Sequence, residues 1–318
     1  MEDSIPLREV LVLFNRRSGG MANPWIQLDA LSEWWDRSGI NLVYQESKDP
    51  EDGKRKIRQA VARGIDTLIV AGGDGMINTV GAELVGKDVA LAVIPAGSGN
   101  GFAGHFGIPL RSKEAAQLLR TGRRQRIDVG YAGDRPFFVT ASLAWDADLV
   151  RGFQSSPVRG ILPYVLAGIY HYFTYEPQDF QIELDGELLT IEKPMVLTVA
   201  NLTQYGGGAI IAPEAQPDDG KLALVAVPRM EPLDLLSSVV RLFDGTVSHV
   251  PEIRTWSFQR MVVRRERPDP IQLDGELVDC SREIVFTVKP AALDVIVPAL
   301  ATGGSSDRTI AKSETEET

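Results

Sequence analysis

The stretch 68–80 reads LIVAGGDGMINTV. Its apolar start is too short for an independent helix and reads as a buried strand. A helical pattern begins just after Gly75 and stops near Gly86. Between them, adjacent glycines let backbone amides approach a ligand with no Cβ in the way, and they permit positive φ. The helix N-terminus adds oriented N–H groups and a partial positive charge. This is a seat for phosphate. A carboxylate at Asp74 is repelled by bound phosphates unless it holds Mg²⁺ or takes a proton from an attacking hydroxyl. A strand-to-helix turn with an aspartate N-cap accounts for Asp74 equally well when the segment is taken alone.

Working outward, VLVLF (10–14), NLVYQ (41–45), DTLIVA (66–71) and ALAVI (90–94) also read as buried strands. Capped helices lie between them. Asn23-Pro24 opens one that Gly39 stops, and another runs from about Pro50 to Gly64. Alternating strands and helices predict a doubly wound parallel sheet in an α/β N-terminal domain, with ligands at the strand carboxyl ends. After Asp128 the texture changes to short strand-like segments joined by Asp-Gly and Gly-rich turns, interrupted by helical stretches around 160–173 and 232–247. That pattern predicts a mainly antiparallel β-sandwich C-terminal domain. The expected division is 1–127 for nucleotide, 128–300 for a β-rich substrate domain and 301–318 for a disordered tail, with the active site in the cleft between the domains.

The segment VIPAGSGNGFAG (93–104) holds a second donor-rich loop. Gly99, Gly101 and Gly104 fit G-x-G-x-x-G, but the loop follows the fourth strand rather than the first. Residues 95–98 intervene before the first glycine, and the place for a ribose-binding acid falls in the basic TGRRQR. A dinucleotide fold is therefore disfavoured, and no G-x-x-x-x-G-K-[ST] is present. The first strand ends in FNRRSGG (14–20), where Asn15, Arg17 and Ser18 again supply donors. Three such turns on one sheet edge point to a nucleoside triphosphate.

The formal net charge of −10 argues against coating nucleic acid, which needs a basic surface. GKRKIR (53–58), RTGRRQR (120–126) and RRER (264–267) are local basic clusters, each a solvated face or a docking point for a polyanion or anionic membrane. The single cysteine, Cys280, excludes an intrachain disulfide, and the three histidines lack metal-ligand spacing. The N-terminus lacks the pattern of a signal peptide, and the longest apolar run, ILPYVLAGIY (161–170), is too short to span a bilayer. A cytoplasmic location is expected.

GGDGMIN followed by PAGSGNGFA resembles the paired nucleotide motifs of the diacylglycerol kinase catalytic domain family, which includes sphingosine kinases and bacterial soluble lipid kinases. NRRSGG, RIDVG (126–130), VANLTQYGGGAIIAPEAQPDDGKL (199–222) and LDGE (273–276) extend the resemblance in order over roughly 8–298. It implies a lipid kinase that uses ATP and Mg²⁺, a lipid substrate met at a membrane surface by peripheral contact, and it is compatible with a homodimer. In this resemblance Gly72, Gly73, Asp74, Gly75, Met76, Ile77 and Asn78 cradle ATP with Gly97, Ser98 and Asn100, while Asn15 and Ser47 touch it. Asp74 and Asp128 lie in the Mg²⁺ and water network, Asp128 on the substrate side. Asp274 and Glu276 reach in from the second domain, one of them as base. Asp219, with the carbonyls of Gln216 and Lys221, holds a structural cation. SLAWDAD (142–148) is similar to a sphingosine kinase stretch, making Asp148 the candidate for a sphingoid amine and Asp146 its competitor.

Some residues depart from the family's pattern. Met76 stands where the family usually has Thr, Ser98 likewise, and Gly101 stands where diacylglycerol kinases commonly have Asp. The pattern of IQLDGELV (271–278) is echoed by IELDGELL (182–189), and nothing within the two octapeptides separates them. The family match selects the later copy, leaving Asp185-Gly186-Glu187 as a plain turn. GILPYVLAGIYHYF (160–173) is either a lipid-pocket lining or a buried helix. A kinase of a soluble polyol or nucleotide, and a nucleotide-binding regulatory protein without catalysis, are the alternatives.

Overall fold

The first half alternates strand and helix: β1 (Arg8–Phe14), α1 (Pro24–Trp35), β2 (Ile40–Glu46), α2 (Pro50–Ala62), β3 (Thr67–Gly72), α3 (Asp74–Leu84), β4 (Ala90–Pro95), α4 (Gly101–His105) and α5 (Ser112–Thr121). The computed structural model describes residues 8–16, 24–35, 40–145, 147, 175–230 and 240–299. Expectations for Asp146, Asp148, the turn at 17–20, the stretch 160–173 and the tail at 301–318 lie outside the described residues, as does the first half, 232–239, of the stretch at 232–247.

Strands β2-β1-β3-β4 form a parallel sheet. Every residue of β3 and β4 is buried, which is why their sequences are apolar without alternation. Helix α2 starts where the Asp49 side chain accepts from the Asp52 N–H and Pro50 follows, and Gly64 beyond its end has φ 86°. Parallel pairing brings the carboxyl ends of all four strands to one edge.

The second half contains β5 (Arg123–Ala132), β6 (Arg135–Phe137), β7 (Thr140–Ser142), β8 (Phe180–Leu184), β9 (Glu187–Ile191), β10 (Val196–Ala200), β11 (Gln204–Gly206), β12 (Ala209–Ile210), β13 (Leu222–Val227), β14 (Arg254–Phe258), β15 (Arg260–Arg265), β16 (Ile271–Leu273), β17 (Glu276–Val278) and β18 (Glu283–Val297). A six-stranded sheet runs β14-β13-β10-β7-β16-β17. Its inner face packs Leu197, Val199, Leu224 and Leu273 with Phe180, Ile182, Met261 and Phe286 of the larger sheet. This is the expected sandwich.

The segment EIVFTVK continues as β18 for 15 residues, to Val297. It pairs antiparallel with β15 and β5, then parallel with β4 through Asp294 and Val295, so one ten-stranded sheet passes through both halves. The expected division at 127/128 falls within β5. The β5–β18 register shifts between Lys289 and Leu293, where Ala291 has φ 48°. The basic clusters are largely engaged in ion pairs: Lys54 with Glu51, Arg58 with Glu83, Arg124 and Arg126 with Asp294, Arg264 with Glu283. Among the described residues no helix is long and apolar enough to cross a membrane.

Candidate active site

The two glycine loops cross at the carboxyl edge of the parallel sheet. Gly72 pairs with Pro95, and the Ala96 N–H donates to the Gly72 carbonyl at 3.0 Å. A Cβ on Gly97 would lie 2.5 Å from the Gly73 Cα, and one on Gly73 would lie 2.8 Å from the Gly97 Cα. Only hydrogen fits at either position. Asn100 closes the second loop: Gly97 N–H donates to its Oδ1 and its Nδ2 donates to the Gly97 carbonyl, both at 2.8 Å. Its φ of 52° is left-handed, a conformation that asparagine tolerates well.

Asp74 is not the N-cap of α3; Gly73 is. Asp74 opens the helix, and its carboxylate crosses to the other loop. There Oδ2 accepts from Gly101 N–H at 2.9 Å and Oδ1 from Phe102 N–H at 3.0 Å, so Asp74 caps α4. Burial raises its pKa, against those same hydrogen bonds. The first amides of α4 are thus taken, and Ser98 is the exposed hydroxyl of the loop. A Cβ on Gly101 would meet the Tyr205 carbonyl oxygen at 2.8 Å, and one on Gly104 would meet the Gln204 side chain at 2.5 Å. Close packing of α4 on β11 therefore accounts for both of these fingerprint-like glycines, and for the absence of Asp at 101.

The two Asp-Gly echoes have the same turn and different surroundings. Both are hairpin tips with two positive φ values, 48° and 96° at Asp185-Gly186 and 47° and 89° at Asp274-Gly275. Asp185 is exposed and accepts from the Gln259 and Arg260 amides. Asp274 is buried, with Oδ2 accepting from Asn78 Nδ2 and Phe138 N–H at 2.8 Å each. Its Oδ1 accepts from Val139 N–H at 2.8 Å and Thr140 N–H at 3.1 Å. Burial pushes the Asp274 carboxyl up to about 6, opposed by the bonds from Asn78, Phe138 and Val139, while the charge of Asp74 adds to the rise. Asn78 spends its amide on Asp274 and on the Pro136 carbonyl, so it ties α3 to the second half. Gly81 does the same by shape, since a Cβ there would lie 2.6 Å from the Phe138 ring.

Glu276, just past the turn, lays its carboxylate on the first turn of α3. Its Oε1 would be 3.2 Å from a Cβ on Gly75. The residue as a whole is exposed, but its carboxylate is partly desolvated there. That burial raises its pKa, and Lys54 partly offsets the rise. Among the described residues Asp74 and Asp274 have both oxygens engaged by N–H donors, and no such bond is found to Glu276.

The remaining expected residues divide into groups. The Met76 side chain folds back over Gly72 and packs on the core, and Ile77 is buried, so each would offer a ligand its backbone alone. Ser47 is buried and donates to the Asp49 carbonyl at 2.9 Å. Asn15 follows β1 at the same edge. Asp128 is not in the Asp74–Asp274 network. Its oxygens accept from Gly220 N–H at 2.6 Å and Ala291 N–H at 2.8 Å, pinning the β18 irregularity to the loop at 217–220. Gln216, Asp219 and Lys221 line one pocket with Glu214, Ser248 and Thr255, and Asp219 Oδ1 accepts from the Lys221 N–H.

Sequence reasoning passed over Gly81, although a glycine inside a helical pattern is a packing signal. It also passed over Asn201, whose Nδ2 joins the carbonyls of Asp128 and Phe138. His105, bonded through Nδ1 to Thr203, is held down to about 4 by burial and is neutral at pH 7.

Comparison with known proteins matches residues 9–132 to the diacylglycerol kinase catalytic domain and residues 142–297 to the YegS C-terminal NAD kinase beta sandwich-like domain. A Pseudomonas putida protein named "Probable lipid kinase YegS-like" is 30% identical over 82% of this chain and 87% of its own. This chain belongs to the diacylglycerol kinase catalytic domain family. Within that family it is also similar to the "Diacylglycerol kinase" of Mycobacterium tuberculosis, 29% identical over 82% of this chain and 86% of the relative. A solved diacylglycerol kinase structure from Bacillus anthracis has the same fold, with TM-score 0.74 at 20% identity over 94% of this chain and 100% of that one.

Proposed function

We propose that this diacylglycerol kinase family member transfers the γ-phosphoryl group of ATP to the hydroxyl of a lipid. The observation that carries the reading is Glu276, a carboxylate from the second half resting on Gly75 at the N-terminus of α3. It lies where the glycine loops would hold a γ-phosphate. The Asp74 and Gly75 amides precede the helical hydrogen bonds of α3 and suit phosphate oxygens. Ser98, Gly97 and Asn100 would flank the nucleotide from the other loop, and Asn15 and Ser47 from the neighbouring strand ends.

Glu276 is the carboxylate free to act as base. It takes the proton of the acceptor hydroxyl while that oxygen bonds to the γ-phosphorus. The bond from the γ-phosphorus to the β–γ bridging oxygen breaks, and ADP leaves with the electron pair. A raised proton affinity suits the role near neutral pH. The charge of Asp74 adds to the cost of ionising Asp274. Asp274 already accepts two N–H bonds on each oxygen, whereas Asp74 accepts one on each and keeps lone pairs that fit Mg²⁺ held by one carboxylate plus phosphate oxygens. Bound there, the ion would neutralise phosphate charge. Lipid binding is assigned to the second half, with Asp148 a candidate contact and membrane association peripheral. Gln216, Asp219 and Lys221 remain the proposed structural cation site.

The test is incubation with Mg²⁺, γ-labelled ATP and mixed micelles of sphingosine, ceramide, diacylglycerol and monoacylglycerol. Labelled lipid is expected. Label in none of them, with ATP binding intact, would favour a soluble acceptor or a regulatory role.

A further inference from the structure

We infer that Lys54 is a further catalytic residue, whose ammonium leaves Glu51 and grips the γ-phosphate oxygens of bound ATP. The inference rests on the lipid-kinase reading and adds a residue to that site. Lys54 belongs to the basic run GKRKIR (53–58), whose other cations are tied elsewhere. Arg55 and Lys56 pair with Asp52, and Arg58 pairs with Glu83. Lys54 Nζ has Glu51 Oε1 at 2.7 Å, in the preceding turn of α2. The Glu51 side chain is 78% exposed, and a surface pair of this kind holds a lysine weakly.

Helices α2 and α3 pack against one another. Two bonds from Arg58 to Glu83, at 2.8 and 2.6 Å, fix which faces meet. Residues four apart share a helix face. Lys54 therefore lies one turn before Arg58 on the α2 face, and Thr79 and Gly75 lie one and two turns before Glu83 on the α3 face. The helices follow parallel strands and run in the same direction, so Lys54 comes level with Thr79. Helical side chains lean towards the N-terminus, which carries the Lys54 stem towards Gly75. There the Glu276 carboxylate rests, with Oε1 3.2 Å from a Cβ on Gly75. The electrostatics agree with this placement. Glu83 is lowered chiefly by its bond from Arg58, with the Lys54 charge adding to the effect, and burial raises Glu276 against the same Lys54 charge. The start of α2 is fixed as well, since a Cβ on Gly53 would lie 2.7 Å from Ser47 Oγ, just past β2.

The chemistry calls for a cation at this place. Phosphoryl transfer spreads negative charge over the equatorial oxygens, and stabilising that charge is most of the catalytic task. Neither GGDGMIN nor PAGSGNG contains a lysine or an arginine, and both surround the acidic side chains of Asp74 and Glu276. A lysine ammonium is a compact charge with three donors on a flexible stem, suited to a phosphate reached from a neighbouring helix. Moving from Glu51 to the γ-phosphate exchanges an exposed carboxylate for a more highly charged partner.

The experiment measures the affinity of the full chain, with Mg²⁺, for ADP and for AMP-PNP, a non-hydrolysable ATP analogue. Label transfer from γ-labelled ATP to the mixed micelles is followed alongside. Lys54→Met should weaken AMP-PNP by about 10- to 150-fold, the worth of one hydrogen bond to a charged group, and leave ADP affinity and melting unchanged. The kcat/KM for ATP should fall by a similar factor. Lys54→Arg should keep more AMP-PNP affinity than Lys54→Met. Glu51→Gln, which frees the lysine, should bind AMP-PNP at least as tightly as wild type. Unchanged AMP-PNP affinity in Lys54→Met, an equal loss for ADP, or an equal loss in Glu51→Gln overturns the inference, while label transfer by wild type keeps the kinase reading standing. A wild type that labels no lipid overturns the kinase reading and with it the catalytic role of Lys54.

Discussion

Replacing Gly97 with alanine puts a methyl carbon 2.5 Å from the Gly73 Cα and 3.0 Å from Asn100 Oδ1. Ordinary carbon contacts begin near 3.5 Å, so the overlap with Gly73 is about 1 Å. Neither side can yield by rotating a side chain. Gly73 is backbone following a strand held by the pairing of Gly72 with Pro95, and Asn100 is held by its two bonds to Gly97. The loops must separate. Overpacking of this kind costs about 1–3 kcal/mol, or roughly 1.5–4.5 °C in melting temperature for a chain of this size. A shift of about 1 Å between phosphate-handling groups can cost about 100-fold in rate. Thermal unfolding and kcat/KM for ATP are the assays. Gly73→Ala should behave similarly, and the double variant should lose less than the sum, because one separation relieves both contacts. Unchanged melting and unchanged kcat/KM in Gly97→Ala would refute the crossing of the loops.

Asp128→Ala removes the acceptor of two charge-assisted bonds, from Gly220 and Ala291. It should cost about 2–5 kcal/mol by chemical denaturation and speed amide exchange around residues 288–293. In metal-free buffer, Asp274 and His105 should oppose one another. Asp274 is raised from 3.8 to about 6, so its contribution is complete at low pH and is lost as pH rises through about 6. His105 is lowered from 6.5 to about 4, so its contribution is complete above pH 6.5 and is lost as pH falls towards 4. Melting of the wild type should therefore vary little between these values, and His105→Gln should expose a melting temperature that falls as pH rises from 4 to 6.

The parts of the account that are legible in sequence are those whose causes are local. Apolar runs, capping residues and glycine turns marked β3, α3 and β4, because burial and φ preferences act within a few residues. The long reach of β18 was not legible, since its last third pairs with β4 and β5 far away in sequence. The same holds for Asp274 and Asp185. Their hairpins are alike, and what distinguishes them is Asn78 and the amides of 138–140 opposite one tip only. Asp74 looked like a cap and is one, but of the helix across the cleft between loops.

The central claim is that Glu276 accepts the proton of a lipid hydroxyl. The direct measurement is the rate of phosphoryl transfer from γ-labelled ATP to the preferred lipid by wild type and Glu276→Gln across pH. Loss of a general base costs about 100- to 10,000-fold. The account predicts a fall of that size in kcat with unchanged melting, and loss of the acidic limb that wild type shows as Glu276 titrates. A Glu276→Gln enzyme with wild-type kcat and the same acidic limb would contradict it.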